Sequence, residues 1–164
     1  MLTPAEVTSF PDNYFDLITV AQAIHWFDFD KFYSEVRRTI KPGGVLAVVG
    51  YSLLNFNNEL AVIVDNFYKN IVGKYWDKER KYIDENYTTI PFPFDEIKAP
   101  NFSINYRWTF EQFIGYLQTW SAVQNYITEH KDDPVLLIRD ELKKSWVNKY
   151  QTVCFPILLK VARI

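Results

Sequence analysis

Between Phe15 and Tyr51 the chain sets two short, almost wholly apolar runs around one amphipathic stretch and a glycine-rich stop, an order that few folds accommodate. The first run, Phe15 to Ala23 (FDLITVAQA), follows the turn signal Pro11-Asp12-Asn13 and reads as a strand buried on both faces, as in parallel sheets. Asp28 is placed to cap a helix over Lys31 to Ile40. Phe32, Val36 and Ile40 fall on one face of it, and Lys31, Glu35 and Arg38 face out. Lys41-Pro42-Gly43-Gly44 then stops the helix and turns the chain. Val45 to Tyr51 (VLAVVGY) is a second, β-branched apolar run. Strand, helix, turn and strand make a βαβ unit, whose crossover is right-handed.

The pattern then changes. From Ser52 to Lys81 it is helical, with Leu60, Ile63, Val64, Phe67 and Ile71 on one face and a solvated basic face from Lys74 to Lys81. Ile90 to Pro100 (IPFPFDEIKAP) is punctuated by proline and reads as a loop or edge segment. Phe102, Ile104 and Tyr106 alternate with polar residues, as on a half-solvated strand. Thr109 opens a helix, with Phe113, Tyr116, Leu117 and Trp120 facing inward. Asp132-Asp133 caps another that begins at Pro134. Gln151 to Ile164 reads as a strand interrupted at Pro156. Trp76, Trp108, Trp120 and Trp146 fall at core spacing.

At 164 residues, 48% hydrophobic and 23% charged, the chain is one globular domain with a real core. Aromatic residues make up 18%, so that core is bulky or an aromatic pocket is present. A net charge of −2 gives no basic footprint for nucleic acid or an anionic membrane. Cys154 is the sole cysteine, which excludes an intramolecular disulfide and points to a reducing, cytoplasmic setting. Between Val153 and Phe155 it reads as a small buried hydrophobe. Met1 to Ser9 has neither the basic start nor the apolar run of a signal peptide. No stretch reaches the roughly 20 apolar residues of a membrane span. The two histidines, His25 and His130, have no metal-ligand spacing.

Three segments carry a family resemblance: Pro11-Asp12-Asn13-Tyr14-Phe15-Asp16-Leu17-Ile18, Ala23-Ile24-His25-Trp26-Phe27 and Lys41-Pro42-Gly43-Gly44. Together they resemble the class I S-adenosylmethionine-dependent methyltransferases of the type 11 group, near the trans-aconitate methyltransferase-like proteins. The later SAVQNY and DDPVLLIRDELKKSW suit the same group. The resemblance implies an α/β, Rossmann-like class I methyltransferase fold, a mixed sheet with helices on both faces. Residues 1–164 would be a single partial domain: 1–51 a βαβ core, 52–100 a helical insertion or cap, 101–164 the C-terminal strands and helices. The glycine-rich loop and the acidic ribose-binding residue of the family have no match. The expectation is therefore a C-terminal portion whose N-terminal βα units, about 90 residues at about 30 per unit, are missing.

The same resemblance implies a cofactor, S-adenosyl-L-methionine, and residues to meet it. Ala5 and Glu6 would border the adenine, and Ala21 and Gln22 would lie under the methionine part. His25 and Trp26 would stand at the mouth of the methyl-transfer site, with Tyr51 facing the same cleft. His25 and Tyr51 are the candidate catalytic residues, Trp26 and Tyr51 the candidate substrate contacts. Elementary chemistry points to the same places, because ligands bind off the carboxyl ends of strands in such sheets. Methyl transfer asks for a positioned nucleophile, and only a hydroxyl or amine acceptor would call on His25 as a base. The substrate class is a small molecule with a carboxylate or hydroxyl acceptor, for which Arg37, Arg38 and Arg107 are available.

The blander readings stand beside these. His25 can be a structural histidine at a strand-to-helix corner, Glu6 a solvated carboxylate, and Gln22 a partner for loop backbone. A non-catalytic remnant, serving as an oligomeric or interaction protein, is the alternative function. Without a partner on its outer side, the strand Phe15 to Ala21 is an open edge, so a homodimer through that edge is expected.

Overall fold

The computed structural model describes residues 3–56 and 59–164, which form two compact units. The sequence readings that touch Met1, Leu2, Asn57 and Asn58 lie outside the described residues. The first unit gathers residues up to Leu53 with Lys81–Phe102 and Pro156–Ile164; the second gathers Leu54–Arg80 and Ser103–Phe155.

The first unit is the βαβ element with one antiparallel strand added. β1 (Phe15–Ala21), α1 (Phe29–Thr39) and β2 (Ile40–Tyr51) follow in order, and β1 pairs with β2 in parallel. β4 (Gln151–Arg163) lies antiparallel on the other side of β2, from Tyr51 opposite Ile157 to Val45 opposite Arg163. α1 begins as its sequence dictates, the Asp28 side chain accepting from the Lys31 N–H. Its apolar face packs Phe32, Tyr33 and Val36 into a core with Val20, Ile24, Ile40, Leu46, Val48, Ile83 and Leu158. The proline-rich segment runs along β4 as an edge, tied by Ile97 N–H to the Val161 carbonyl (2.7 Å) and by Ile157 N–H to the Phe102 carbonyl (2.9 Å).

Three expectations are corrected in this unit. Strand β1 is not buried on both faces: only Val20 is buried, and Leu17 is 54% exposed. Among the described residues its main chain pairs on one side alone, with β2. The Lys-Pro-Gly-Gly segment does not separate α1 from a later strand. β2 starts at Ile40, and residues 41–44 swell out opposite Asp16, since Phe15 pairs with Ile40 but Leu17 with Val45. Gly43 supplies the positive φ of 79° that this bulge needs. The last strand is not broken at Pro156, which sits where β4 passes from one unit to the other. Lacking an N–H, the proline still offers its carbonyl, which accepts from Ser52 N–H at 3.0 Å.

One ion pair in this unit gives a pH-dependent stability. Glu35 takes two hydrogen bonds from Arg38 (2.6 and 2.9 Å) and two from the backbone and hydroxyl of Thr8 (2.8 and 2.6 Å). Arg38 first, then Thr8, hold its carboxyl near pKa 2 against the usual 4.5, the cost of burial working the other way. A carboxyl more acidic in the folded state stabilises fully above its unfolded pKa and loses that contribution as pH falls through the folded one. Glu35→Gln is therefore expected to lower the melting temperature at neutral pH, with the difference from the wild type narrowing from about pH 4.5 down to pH 2. A melting-temperature difference that persists unchanged down to that pH would contradict the assignment.

The second unit is mainly helical. It holds α2 (Leu60–Asn66), β3 (Ser103–Trp108), α4 (Phe110–Gln118), α5 (Ser121–His130) and α6 (Leu136–Ser145), with β3 beside the N-terminal half of β4. Thr109 and Gln112 form a reciprocal capping box that starts α4. α6 begins at Leu136 rather than Pro134 and has no side-chain cap; the Asp133 carboxylate accepts from Val135 N–H at 2.9 Å in the turn before it. Aromatic rings fill the interior: Phe113 lies between Phe56 (5.2 Å, edge-on) and Trp146 (5.4 Å, stacked), and Phe67 stacks on Trp120 at 5.9 Å.

Here too the sequence reading is corrected. The stretch from Ser52 to Lys81 is not one helix. After α2 the chain makes a π-type turn over Phe67–Ile71, then short turns at Gly73–Tyr75 and Lys78–Arg80, before α3 (Lys81–Asp84) in the first unit. The wide turn closes by Val72 N–H to the Phe67 carbonyl (3.0 Å) and advances the register by one residue. Val72, not Ile71, therefore becomes fully buried. Nor is Arg80 part of a solvated face: its guanidinium stacks on Trp76 and its Nε donates to the Tyr68 hydroxyl at 2.8 Å. Cys154 is half-buried, because Val153 and Phe155 take the inward positions of the strand. Among the described residues no helix is long and apolar enough to cross a membrane, and no cluster of three or more His, Cys, Asp or Glu could hold a metal.

Candidate active site

The candidate residues of the first unit fall into three groups. The first is a staple across the carboxyl ends of β1 and β2. Gln22 follows β1 with a left-handed backbone (φ 49°), and its N–H donates to the Val49 carbonyl at 2.7 Å. Its side chain then mimics a further residue of strand pairing. Oε1 accepts from Tyr51 N–H at 2.8 Å, and Nε2 donates to the Tyr51 carbonyl at 3.4 Å. The amide is thus committed to the protein's own backbone and fixes where Tyr51 stands. The Tyr51 side chain is 39% exposed.

The second group is the turn that follows. Ile24–Trp26 is a single 3₁₀ turn, closed by Trp26 N–H to the Ala23 carbonyl (3.0 Å) and Phe27 N–H to the Ile24 carbonyl (3.1 Å). Ile24 is fully buried and anchors it, which drives His25 inward and leaves Trp26 57% exposed. The His25 ring lies 5.1 Å from Trp26 and 6.3 Å from Tyr87, whose hydroxyl is 3.5 Å from Nδ1. Tyr87 escapes a reading of the sequence altogether; nothing in its neighbourhood marks it.

The third group borders a groove of about 390 Å³ along β1 and α1, lined by Ala5, Phe10, Leu17, Ala21, Phe27 and Phe32 among others. Three of its polar residues are paired within the protein: Thr8 and Glu35 with each other and Arg38, and the Thr39 hydroxyl with the Glu35 carbonyl. The groove therefore suits an apolar surface rather than a charged ligand. Ala5 and Ala21 share it. Glu6 does not line it; one carboxylate oxygen accepts from Asp28 N–H at 3.1 Å, tying the segment before β1 to the start of α1. The three arginines considered for a carboxylate are engaged elsewhere. Arg38 serves Glu35, Asp12 and two carbonyls, Arg37 donates to the Pro93 carbonyl and covers Phe94, and Arg107 lies over Tyr150 in the second unit.

A parallel β1–α1–β2 crossover with an antiparallel strand beside it, and aromatic and imidazole groups at the strand tips, agrees with known proteins. The model of the type 11 methyltransferase domain matches residues 1–48. A solved structure from Anaeromyxobacter dehalogenans, titled a type II methyltransferase, superimposes with a TM-score of 0.88 at 38% identity, covering 98% of this chain and 69% of that one. The chain belongs to the class I methyltransferases. A methyltransferase by name from Dictyostelium discoideum is 32% identical over 170 residues, spanning 99% of this chain and 65% of its own length. The ubiquinone/menaquinone biosynthesis C-methyltransferase of Cupriavidus metallidurans is 48% identical over 52 residues, 31% of this chain. This methyltransferase chain thus spans about two thirds of the length of the two relatives that match it end to end.

Proposed function

We propose that the chain is the substrate-facing part of an S-adenosylmethionine-dependent methyltransferase acting on a small molecule with a hydroxyl or carboxylate acceptor. The observation that carries the reading is the construction at the tips of β1 and β2. Gln22 spends its amide on fixing Tyr51, and Ile24 is buried to orient His25 and Trp26. Strand tips of this kind are where α/β sheets bind ligands.

The residues present fit part of such a cofactor. Ala21 and Ala23 have small side chains, and the exposed ring of Trp26 offers a π face to a cationic sulfonium. Glu6 and Gln22 would border the cofactor by holding backbone in place, since their side chains already serve Asp28 and Tyr51. When bound, S-adenosylmethionine supplies an electrophilic methyl group. The chain's own part is to orient the acceptor between Trp26 and Tyr51, to exclude water, and to take a proton at His25 from an acceptor that carries one. A carboxylate acceptor needs no base.

The test is ligand-dependent stability. Specific binding at free ligand concentration L stabilises the folded chain by RT ln(1 + L/Kd), about 2.7 kcal/mol at 100 times Kd, and the melting temperature rises with ligand concentration accordingly. A rise with S-adenosylmethionine, and none with adenosine at the same concentration, supports the reading. No rise at millimolar ligand would favour a non-catalytic role for these 164 residues. As partner we propose a second copy of the chain, paired through the open edge of β1 and seated on the apolar groove beside it.

A further inference from the structure

Tyr87 reaches the strand tips by a route that costs the backbone. It follows α3 in a turn where Asn86 and Tyr87 both take left-handed conformations (φ 53° and 59°), uncommon for asparagine and more so for tyrosine. Tyr87 N–H closes the turn on the Tyr82 carbonyl at 2.7 Å. The side chain so delivered is fully buried, and the hydroxyl end of its ring lies against Gly50, the penultimate residue of β2. A Cβ at position 50 would meet Oη at 2.6 Å, Cε2 at 2.7 Å and Cζ at 2.8 Å, so the approach exists only because that residue is glycine. At the end of this path the hydroxyl stands 3.5 Å from Nδ1 of His25. A strained turn and a glycine cleared for one ring converge on this polar contact, and a ring needed only for packing would not require the hydroxyl.

We propose that Tyr87 is the positioning residue for His25: Oη accepts the Nδ1 proton and so fixes the neutral imidazole with Nε2 as its proton-accepting nitrogen. The hydrogen bond at one ring nitrogen decides the state of the other. This rests on the methyltransferase reading above, in which His25 takes a proton from a hydroxyl or amine acceptor. Tyr87 then acts through His25 and touches no substrate. Gly50 belongs to the same device, since it admits the ring.

The test reads the histidine directly and needs neither cofactor nor acceptor. In a ¹⁵N-labelled chain, long-range proton–nitrogen correlations give the tautomer of His25, assigned by its loss in His25→Gln. The wild type is expected to carry the proton on Nδ1. Tyr87→Phe keeps the ring, removes the hydroxyl and should shift the equilibrium at least tenfold toward the Nε2–H form. Gly50→Ala, which displaces the ring with the hydroxyl intact, should do the same; if that chain does not fold, Tyr87→Phe decides alone. A proton on Nε2 in the wild type, or the same tautomer with and without the hydroxyl, overturns the assignment. A chain that shows the expected tautomer shift yet does not bind S-adenosylmethionine would retain the Tyr87–His25 device and lose the functional reading.

Discussion

Replacing Phe113 by alanine is expected to destabilise the second unit by about 3–5 kcal/mol. Phe113 is fully buried on α4, held edge-on by Phe56 and face-to-face by Trp146. Truncation removes the transfer free energy of the ring and leaves a cavity whose walls are other large rings. Rings of that size turn poorly into a void, so relaxation recovers little of the loss. Urea denaturation followed by tryptophan fluorescence measures it, because Trp146 reports from the cavity wall. A loss below about 1 kcal/mol, the range of an ordinary substitution, would mean that this cluster is not the core of its unit.

The second large effect is on association. Among the described residues β1 pairs only with β2, and it carries no Pro or Lys from Phe15 to Ala21. Native proteins guard such edges, and an unguarded one is a template for another strand. The groove beside it is lined mainly by apolar side chains, with Thr8, Glu35 and Thr39 paired within the protein, which suits a protein surface. A second copy meets both requirements through an isologous contact, β1 against β1 about a two-fold axis. Light scattering of the 164-residue chain is expected to give a dimer, and Leu17→Lys a monomer of unchanged secondary structure. A wild-type chain that runs as a monodisperse monomer would contradict the pairing.

The βαβ unit was legible because each of its parts has a local cause: β-branched runs for the strands, a cap at Asp28, a four-residue apolar spacing through α1. The Thr109 capping box was legible for the same reason. What stayed hidden depends on the rest of the fold. Apolar composition marked β1 as a sheet strand, but burial depends on what covers it. The π-type turn at Phe67–Ile71 moves one residue without changing the composition of the stretch, and α5 carries no reading of its own in the sequence. At the strand tips, Gln22, His25, Trp26 and Tyr51 could be named from their positions. Tyr87 could not, since it lies 62 residues from His25 and arrives by a backbone conformation that tyrosine disfavours.

The central claim is that the tips of β1 and β2 bind S-adenosylmethionine. The most direct measurement is a titration of the ¹⁵N-labelled chain with the cofactor, read residue by residue. The account predicts saturable shifts at the backbone of Glu6, Ala21, Gln22 and Tyr51 and at the indole N–H of Trp26, with the second unit unmoved. Shifts confined to the second unit, or none at millimolar cofactor, would contradict it.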